Sequence, residues 1–375
     1  MHVVVAGGGS AGHIEPALAF ADALRRRDPQ AEVVALGTER GLDTRVIPAR
    51  GYPLELIPPV PVPRRPGAEL LRVPGRLKAA VDAAADVLRR HRADVLVGFG
   101  GYVSAPAYLA ARRLRLPFVV HEANPRPGWA NRLGARLTPY VATTFPGTPI
   151  AHGRLVGLPI RRSIAGLDRA ARRAEGRTAF GLDADRPTLL VTGGSQGARR
   201  LNEAAAGAAA DLRAGGVQVL HATGPAHVVE VPDGGPGAPP YVVLPYLERM
   251  DLAYAAADLA LCRAGANTVV ELTAVGLPAA YVPLPIGNGE QAMIARPVVA
   301  AGGGLLVDDE DCTPAWVRAT LTPLLTDPAR LATMASAAAG SGHPDADERL
   351  VDLVLAAAAR RPVSDRPTQA GGGAW

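Results

Sequence analysis

Cysteine, lysine and aromatic side chains are all scarce in this 375-residue chain, and each shortage removes a class of protein. Two cysteines, Cys262 and Cys312, stand far apart, which rules out a disulfide-dense secreted scaffold or a cysteine-rich zinc site and suits a reducing compartment. Aromatics make up only 4% of residues, so Leu, Val and Ala must fill the cores, and no basic patch with interleaved aromatics predicts a nucleic-acid partner. Lys78 is the single lysine among 40 basic residues, and the net charge of +5 rests on arginines scattered along the chain rather than gathered in a tail. No apolar run reaches the roughly 18 residues that a membrane-spanning helix requires. The amino terminus has no basic region before its short apolar run, so no secretory signal is expected and the predicted compartment is intracellular.

Apolar residues are plentiful, at 48% of the chain, and a length of this order fits about two domains. Residues 3–6, 32–36, 95–98, 118–120 and 141–144 read as short buried strands, with Ala-rich helical stretches such as 17–27 and 79–91 between several of them. Pro16 fits the first turn of a helix. The pattern then restarts with strands at 188–192, 217–222, 241–244, 259–262 and 279–283 and a helix over 198–210. Strands alternating with helices predict parallel sheets covered on both faces, here in two Rossmann-like domains of the α/β class. The junction is expected at 156–161, where Gly157 and Pro159 interrupt the pattern. The expected division is 1–160, 161–345, a C-terminal helix over 346–360 and a disordered tail over 361–375.

Each half opens on a strand followed by a glycine turn. Gly7, Gly9 and Gly12 match the dinucleotide fingerprint G-x-G-x-x-G, yet the second strand ends in Leu36, Gly37 and Thr38, without the acidic residue that would hold a ribose. Three readings stay open: a dinucleotide site, a turn needed only for packing, and amides left open for another phosphate at a helix start. His13 follows the last glycine at the carboxyl end of the first strand, where open α/β sheets bind ligands; a local hydrogen bond is the plainer use. Thr268 and Glu271 have capping-box spacing, so Glu271 either closes a helix or accepts from a ribose diol. Gln291 follows a small-residue loop suited to a sugar, as a plain surface glutamine also does. The triplets 183–185 and 345–347 (Asp-x-Asp) read as loop and capping residues, and neither a metal site nor a cofactor is expected.

Six blocks in order, "GGGSAGHIEP" at 7–16, "GFGGYVSAP" at 98–106, "HEAN" at 121–124, "GLPIR" at 157–161, "TGGSQGARRLNE" at 192–203 and "CRAGANTVVELTAVGLP" at 262–278, resemble the MurG family of glucosaminyltransferases. The arginine bias and the "PLPIGNGEQ" loop resemble its actinobacterial branch. The resemblance implies a glycosyltransferase B fold, two Rossmann-like domains facing across a cleft, and inverting transfer of GlcNAc from UDP-GlcNAc to the muramoyl 4-hydroxyl of lipid I. It implies donor contacts at Ser10, Ala11, Gly12, Asn124, Arg161, Ser195, Leu247, Ala266, Asn267, Thr268, Val269, Val270, Glu271 and Gln291. Within that set, Asn124 would read the sugar, Ser195 and Arg161 the phosphate region and Glu271 the ribose. His13 becomes the expected general base, with His121 its rival.

The implied partners are UDP-GlcNAc, lipid I, an anionic membrane surface on the cytoplasmic side and other cell-wall synthesis proteins. The stretch 62–78, with Arg64, Arg65, Arg72, Arg76 and Lys78 among leucines and valines, is the expected membrane patch. Four departures stand out: Ser10-Ala11 for the usual Thr-Gly, Leu158 for Asn, Glu290 for Gln and Ile294 for Asn. Competing expectations are the same fold with another acceptor, a UDP-GlcNAc 2-epimerase, an NAD-dependent oxidoreductase and a non-enzymatic nucleotide-binding scaffold.

Overall fold

The computed structural model describes residues 1–39, 41–60, 73–286 and 289–361. They form two compact units, one built on Met1–Arg161 together with the chain's C-terminal helix, the other on Arg162–His343.

In the first unit the chain runs β1 (His2–Gly7), α1 (Ala11–Arg27), β2 (Glu32–Gly37), α2 (Asp43–Ala49), β3 (Leu54–Leu56), α3 (Val73–Arg90), β4 (Val95–Gly100), α4 (Ser104–Arg113), β5 (Phe118–Glu122), α5 (Trp129–Ala135), β6 (Val141–Thr143) and β7 (Gly153–Leu155). The sheet order is β3-β2-β1-β4-β5-β6-β7 and every pairing is parallel. The central strands are unbroken apolar runs because helices cover both faces. The C-terminal helix Ala346–Ala358 returns to this unit, where Leu350, Val351 and Val354 share a core with Val3, Leu18 and Phe20. Arg26 ties it to α1 through a 2.6 Å bond to the buried Asp347.

The second unit runs α6 (Arg162–Ala165), α7 (Arg169–Ala179), β8 (Thr188–Thr192), α8 (Arg199–Gly207), α9 (Ala209–Ala214), β9 (Gln218–Ala222), β10 (Tyr241–Leu244), α10 (Met250–Ala256), β11 (Leu259–Arg263), α11 (Ala266–Ala274), β12 (Ala279–Val282), α12 (Glu290–Ala300) and β13 (Gly304–Leu306), then helical segments over 314–340. Its parallel sheet has the order β10-β9-β8-β11-β12-β13. In both units the strand order reverses beside the first strand, between β1 and β4 and between β8 and β11. Such reversals open a crevice outside the carboxyl ends of the strands.

Three features differ from the sequence reading. The strands β3, β7 and β13 were not expected; each is three residues long at a sheet edge, too short to show a period. Helix α1 starts at Ala11, so Pro16 lies inside it rather than in its first turn, and is tolerated although it offers no N–H to the Gly12 carbonyl. The helix expected over 198–210 breaks at Ala208 into α8 and α9. The Asp-x-Asp residues have local partners: Asp183 accepts from Arg186 at 2.5 Å and Asp345 from Arg349 at 2.8 Å. The tail beyond Arg361 lies outside the described residues.

Candidate active site

The glycine turn after β1 is built around a carboxylate. Asp43, fully buried at the start of α2, accepts from the Gly9 amide at 2.7 Å and from the Thr38 amide at 2.9 Å. The turn's amides are therefore not all open to a ligand, as the phosphate reading supposed. A Cβ on Gly8 would lie 2.7 Å from Asp43 Oδ2, so only glycine lets the chain close over that carboxylate. Ser10 sits at the N-cap of α1 but does not cap it; its Oγ lies 3.1 Å from His13 Nδ1. Ser10 and Gly12 are exposed at the helix start, with Ala11 between them.

The His13 ring packs over Gly100, the last residue of β4. Burial lowers its pKa, while a hydrogen bond to the Gly8 backbone and the nearby Asp43 carboxylate pull the other way. On balance the neutral ring is favoured. His121, the rival base, is fully buried in β5, with Nε2 2.8 Å from the Gly157 carbonyl and its pKa pushed down by burial to about 4. No substrate hydroxyl reaches it there. Its neighbour Glu122 organises the following loop by accepting from the amides of Asn124 (2.9 Å) and Gly128 (3.0 Å) and from Asn131 Nδ2 (2.9 Å). Asn124 is held at the carboxyl end of β5 by that carboxylate, and burial raises the pKa of Glu122.

In the second unit, four of the expected donor residues meet. A pocket of about 120 Å³ is lined by Ser195 and Gly194 from the turn after β8, Leu247 and Tyr246 from the loop before α10, Tyr254 from α10, and Thr268 and Glu271 from α11. Gly265 is the N-cap of α11, so Thr268 and Glu271 fall too far into the helix for the capping box their spacing allowed. Glu271 instead accepts a 2.7 Å bond from the Tyr254 hydroxyl. Ala266 and Asn267 supply the first turn of α11, whereas the Val269 and Val270 side chains are buried. Gln291 Oε1 accepts from the Leu284 amide at 2.9 Å. Arg161, at the end of the first unit, donates to Glu15 on α1 at 3.1 Å. The departures Leu158 and Ile294 are core side chains, which accounts for their apolar character.

Known proteins show the same plan. Residues 3–143 match the glycosyltransferase family 28 N-terminal domain and 188–350 its C-terminal domain. A curated UDP-N-acetylglucosamine--N-acetylmuramyl-(pentapeptide) pyrophosphoryl-undecaprenol N-acetylglucosamine transferase of Streptomyces avermitilis is 60% identical over 361 residues, covering 96% of this chain and 99% of its own. The same-named protein of Mycolicibacterium smegmatis is 58% identical over 369 residues, covering 96% of each chain. The crystal structure of Acinetobacter baumannii MurG superposes with a TM-score of 0.75 at 31% identity, covering 94% of this chain and 99% of that one.

The chain belongs to the MurG family.

The glycosyltransferase B fold extends beyond MurG: the calicheamicin glycosyltransferase CalG4 shares it at a TM-score of 0.64 and 20% identity, over 96% of this chain and 98% of its own. MurG membership removes the oxidoreductase reading, in keeping with Gly37 and Thr38 standing where a ribose-binding carboxylate would end β2. Two side chains that hold candidate residues in place, one in each unit, were missed in the sequence. Asp43 lies in "GLDTR", which looks like a surface turn, and Tyr254 lies in an Ala-rich helix that reads as plain core.

Proposed function

We propose that this chain moves GlcNAc from UDP-GlcNAc to the muramoyl 4-hydroxyl of lipid I, giving lipid II for peptidoglycan, with inversion at the anomeric carbon. The observation that carries the proposal is the pocket where Ser195, Leu247, Thr268 and Glu271 meet, in a chain about three-fifths identical from end to end to curated enzymes of that name. The second unit holds the donor. Glu271 takes the ribose diol, Ser195 and the first turn of α11 take the diphosphate, and Leu247 closes the pocket. Amides at a helix start, aligned with its dipole, suit a diphosphate. The residues Ser10 to Gly12 offer a second helix start, and Arg161 adds charge by exchanging Glu15 for a phosphate. Asn124 and the Gln291 amide nitrogen read the sugar.

In the transfer step the 4-hydroxyl oxygen attacks the anomeric carbon as the bond to the β-phosphate oxygen breaks. The hydroxyl proton passes to the neutral His13 imidazole, and the electron pair leaves with UDP. Preorganised donors stabilise the growing charge on UDP by several kcal/mol. The test is transfer of radiolabelled GlcNAc from UDP-GlcNAc to a lipid I analogue, run beside water and unrelated lipid acceptors. Label in the lipid I product is expected; UDP release at equal rates with water, or epimerisation of the donor without acceptor, would refute the proposal.

The working place is the cytoplasmic face of the cell membrane, held peripherally, because the acceptor carries a polyprenyl chain. Among the described residues, no helix is long and apolar enough to cross a membrane. Of the expected patch, residues 62–72 lie outside the described residues. Arg76 and Lys78 stand in the first turns of α3, with Lys78 bonded to Asp82 at 3.1 Å.

A further inference from the structure

We infer that Tyr254 is a positioning residue for the donor ribose, acting through the hydrogen bond by which its hydroxyl fixes the Glu271 carboxylate in the pocket. The inference rests on the reading of Glu271 as the ribose ligand.

Tyr254 is a buried side chain of α10, yet it reaches the wall of the pocket that Ser195, Leu247, Thr268 and Glu271 share. Its Oη donates to Glu271 Oε2 at 2.7 Å, the short range of a bond to a charged acceptor. Burial and the adjacent carboxylate raise the pKa of Tyr254 well above its ordinary value, so the phenol stays a donor throughout the working range. A carboxylate has room for about four hydrogen bonds. The bond from Tyr254 takes one of those places and fixes the direction of the group.

The tyrosine is itself anchored through its own backbone. The Arg169 guanidinium donates to the carbonyls of Tyr254 (3.0 Å), Ala257 (2.6 Å) and Gly276 (2.7 Å). One half-buried cation thus ties the end of α10 to the turn after α11. The two helices are linked at two levels, by Arg169 through backbone and by Tyr254–Glu271 through side chains. The lower link sets how the helices pack; the upper one sets where the carboxylate points. Replacing Tyr254 by Phe removes the upper link and one oxygen atom, and nothing else.

The experiment compares binding of UDP and 2′-deoxy-UDP by calorimetry to the full chain, to Tyr254→Phe and to Glu271→Ala. The ratio of the two dissociation constants reports recognition of the ribose hydroxyl, and it is insensitive to any loss of folded protein. The parent should favour UDP by about tenfold or more, the usual size for a hydroxyl bound to a charged group. Glu271→Ala should bring the ratio close to one. In Tyr254→Phe the ratio should fall to about threefold, chiefly through weaker UDP binding. A parental ratio in Tyr254→Phe, or equal weakening of both ligands, would overturn the positioning role while leaving Glu271 as the ribose ligand. A ratio unchanged in Glu271→Ala would overturn the ribose reading and this inference with it.

Discussion

The two glycine turns obey one local grammar, strand then glycines then helix beside a reversal of strand order, yet they are finished differently. The first is closed from below: Asp43 takes the Gly9 amide, and Gly8 presses on the same carboxylate. What that turn presents is a side chain, the His13 imidazole, held between Ser10 Oγ and Gly100. The second has no such carboxylate in its turn. The Gly194 amide bonds Thr192 Oγ1 at 3.3 Å, the Gly197 amide bonds the Gly194 carbonyl at 3.0 Å, and Gly197 lies so close to the Thr223 carbonyl that no Cβ fits. That turn is pinned at its far end and leaves Gly194 and Ser195 on a pocket wall. A fixed titratable group suits chemistry, whereas an exposed hydroxyl on a pocket wall suits binding.

The sharpest way to break this contrast is to exchange the losses. His13→Ala should lower kcat by about 10²–10⁴-fold, the ordinary size for a general base, with the Kd for UDP-GlcNAc within about twofold of the parent. Ser195→Ala should do the reverse, raising the donor KM more than it lowers kcat. Steady-state kinetics with a lipid I analogue, paired with donor titrations, separate the two patterns. If both variants lose donor affinity alone, the turns do not differ in role.

Asp43→Ala should destabilise the chain by about 2–4 kcal/mol, because one buried and one half-buried amide lose their acceptor and a cavity remains. Asp43→Asn keeps one carbonyl oxygen and should lose less. Urea midpoints for the pair give the answer, and equal midpoints for Asp43→Ala and the parent would remove the carboxylate from the account.

Acid tests whether the units are alike beneath their turns. Each has a histidine buried in a strand, His121 in β5 and His221 in β9, and burial lowers both to about 4. Their ordinary value is 6.5, so between pH 6.5 and 4 the unfolded chain binds protons that the folded chain refuses. Stability present above pH 6.5 should therefore drain away as pH falls towards 4, by up to about 3 kcal/mol per histidine. Unfolding midpoints that stay flat over that window would contradict it. The smallest effect belongs to the membrane: Arg76→Glu should weaken binding to anionic vesicles by about 1 kcal/mol or somewhat more, without touching donor affinity. Equal vesicle binding by variant and parent would take the start of α3 out of the contact.

The central strands, the glycine turns and the two-domain plan were legible because buried parallel strands are continuous apolar runs, and the turns between them need glycine. Edge strands such as Leu54–Leu56 were not, since three residues carry no period. Ser195 and Leu247 were found through the family resemblance, Thr268 and Glu271 first through their spacing, and the fold brings them together from three separate segments. Of the two uses that spacing left open for Glu271, the capping box is removed, because the helix begins earlier, at Ala266. Asp43 and Tyr254 were invisible for a common reason. Each acts by a hydrogen bond across sequence, 34 residues to Gly9 and 17 to Glu271, and nothing in the local pattern marks such a partner.

The central claim, that His13 works as a neutral base and not as a charged diphosphate contact, is tested most directly by the pH dependence of kcat/KM for the lipid I analogue. Burial lowers the His13 pKa below 6.5, so the base form persists into mildly acidic solution. The account predicts an acid limb with an apparent pKa below 6.5 that disappears in His13→Ala. A rate that rises as pH falls through that range, or the same acid limb in His13→Ala, would contradict it.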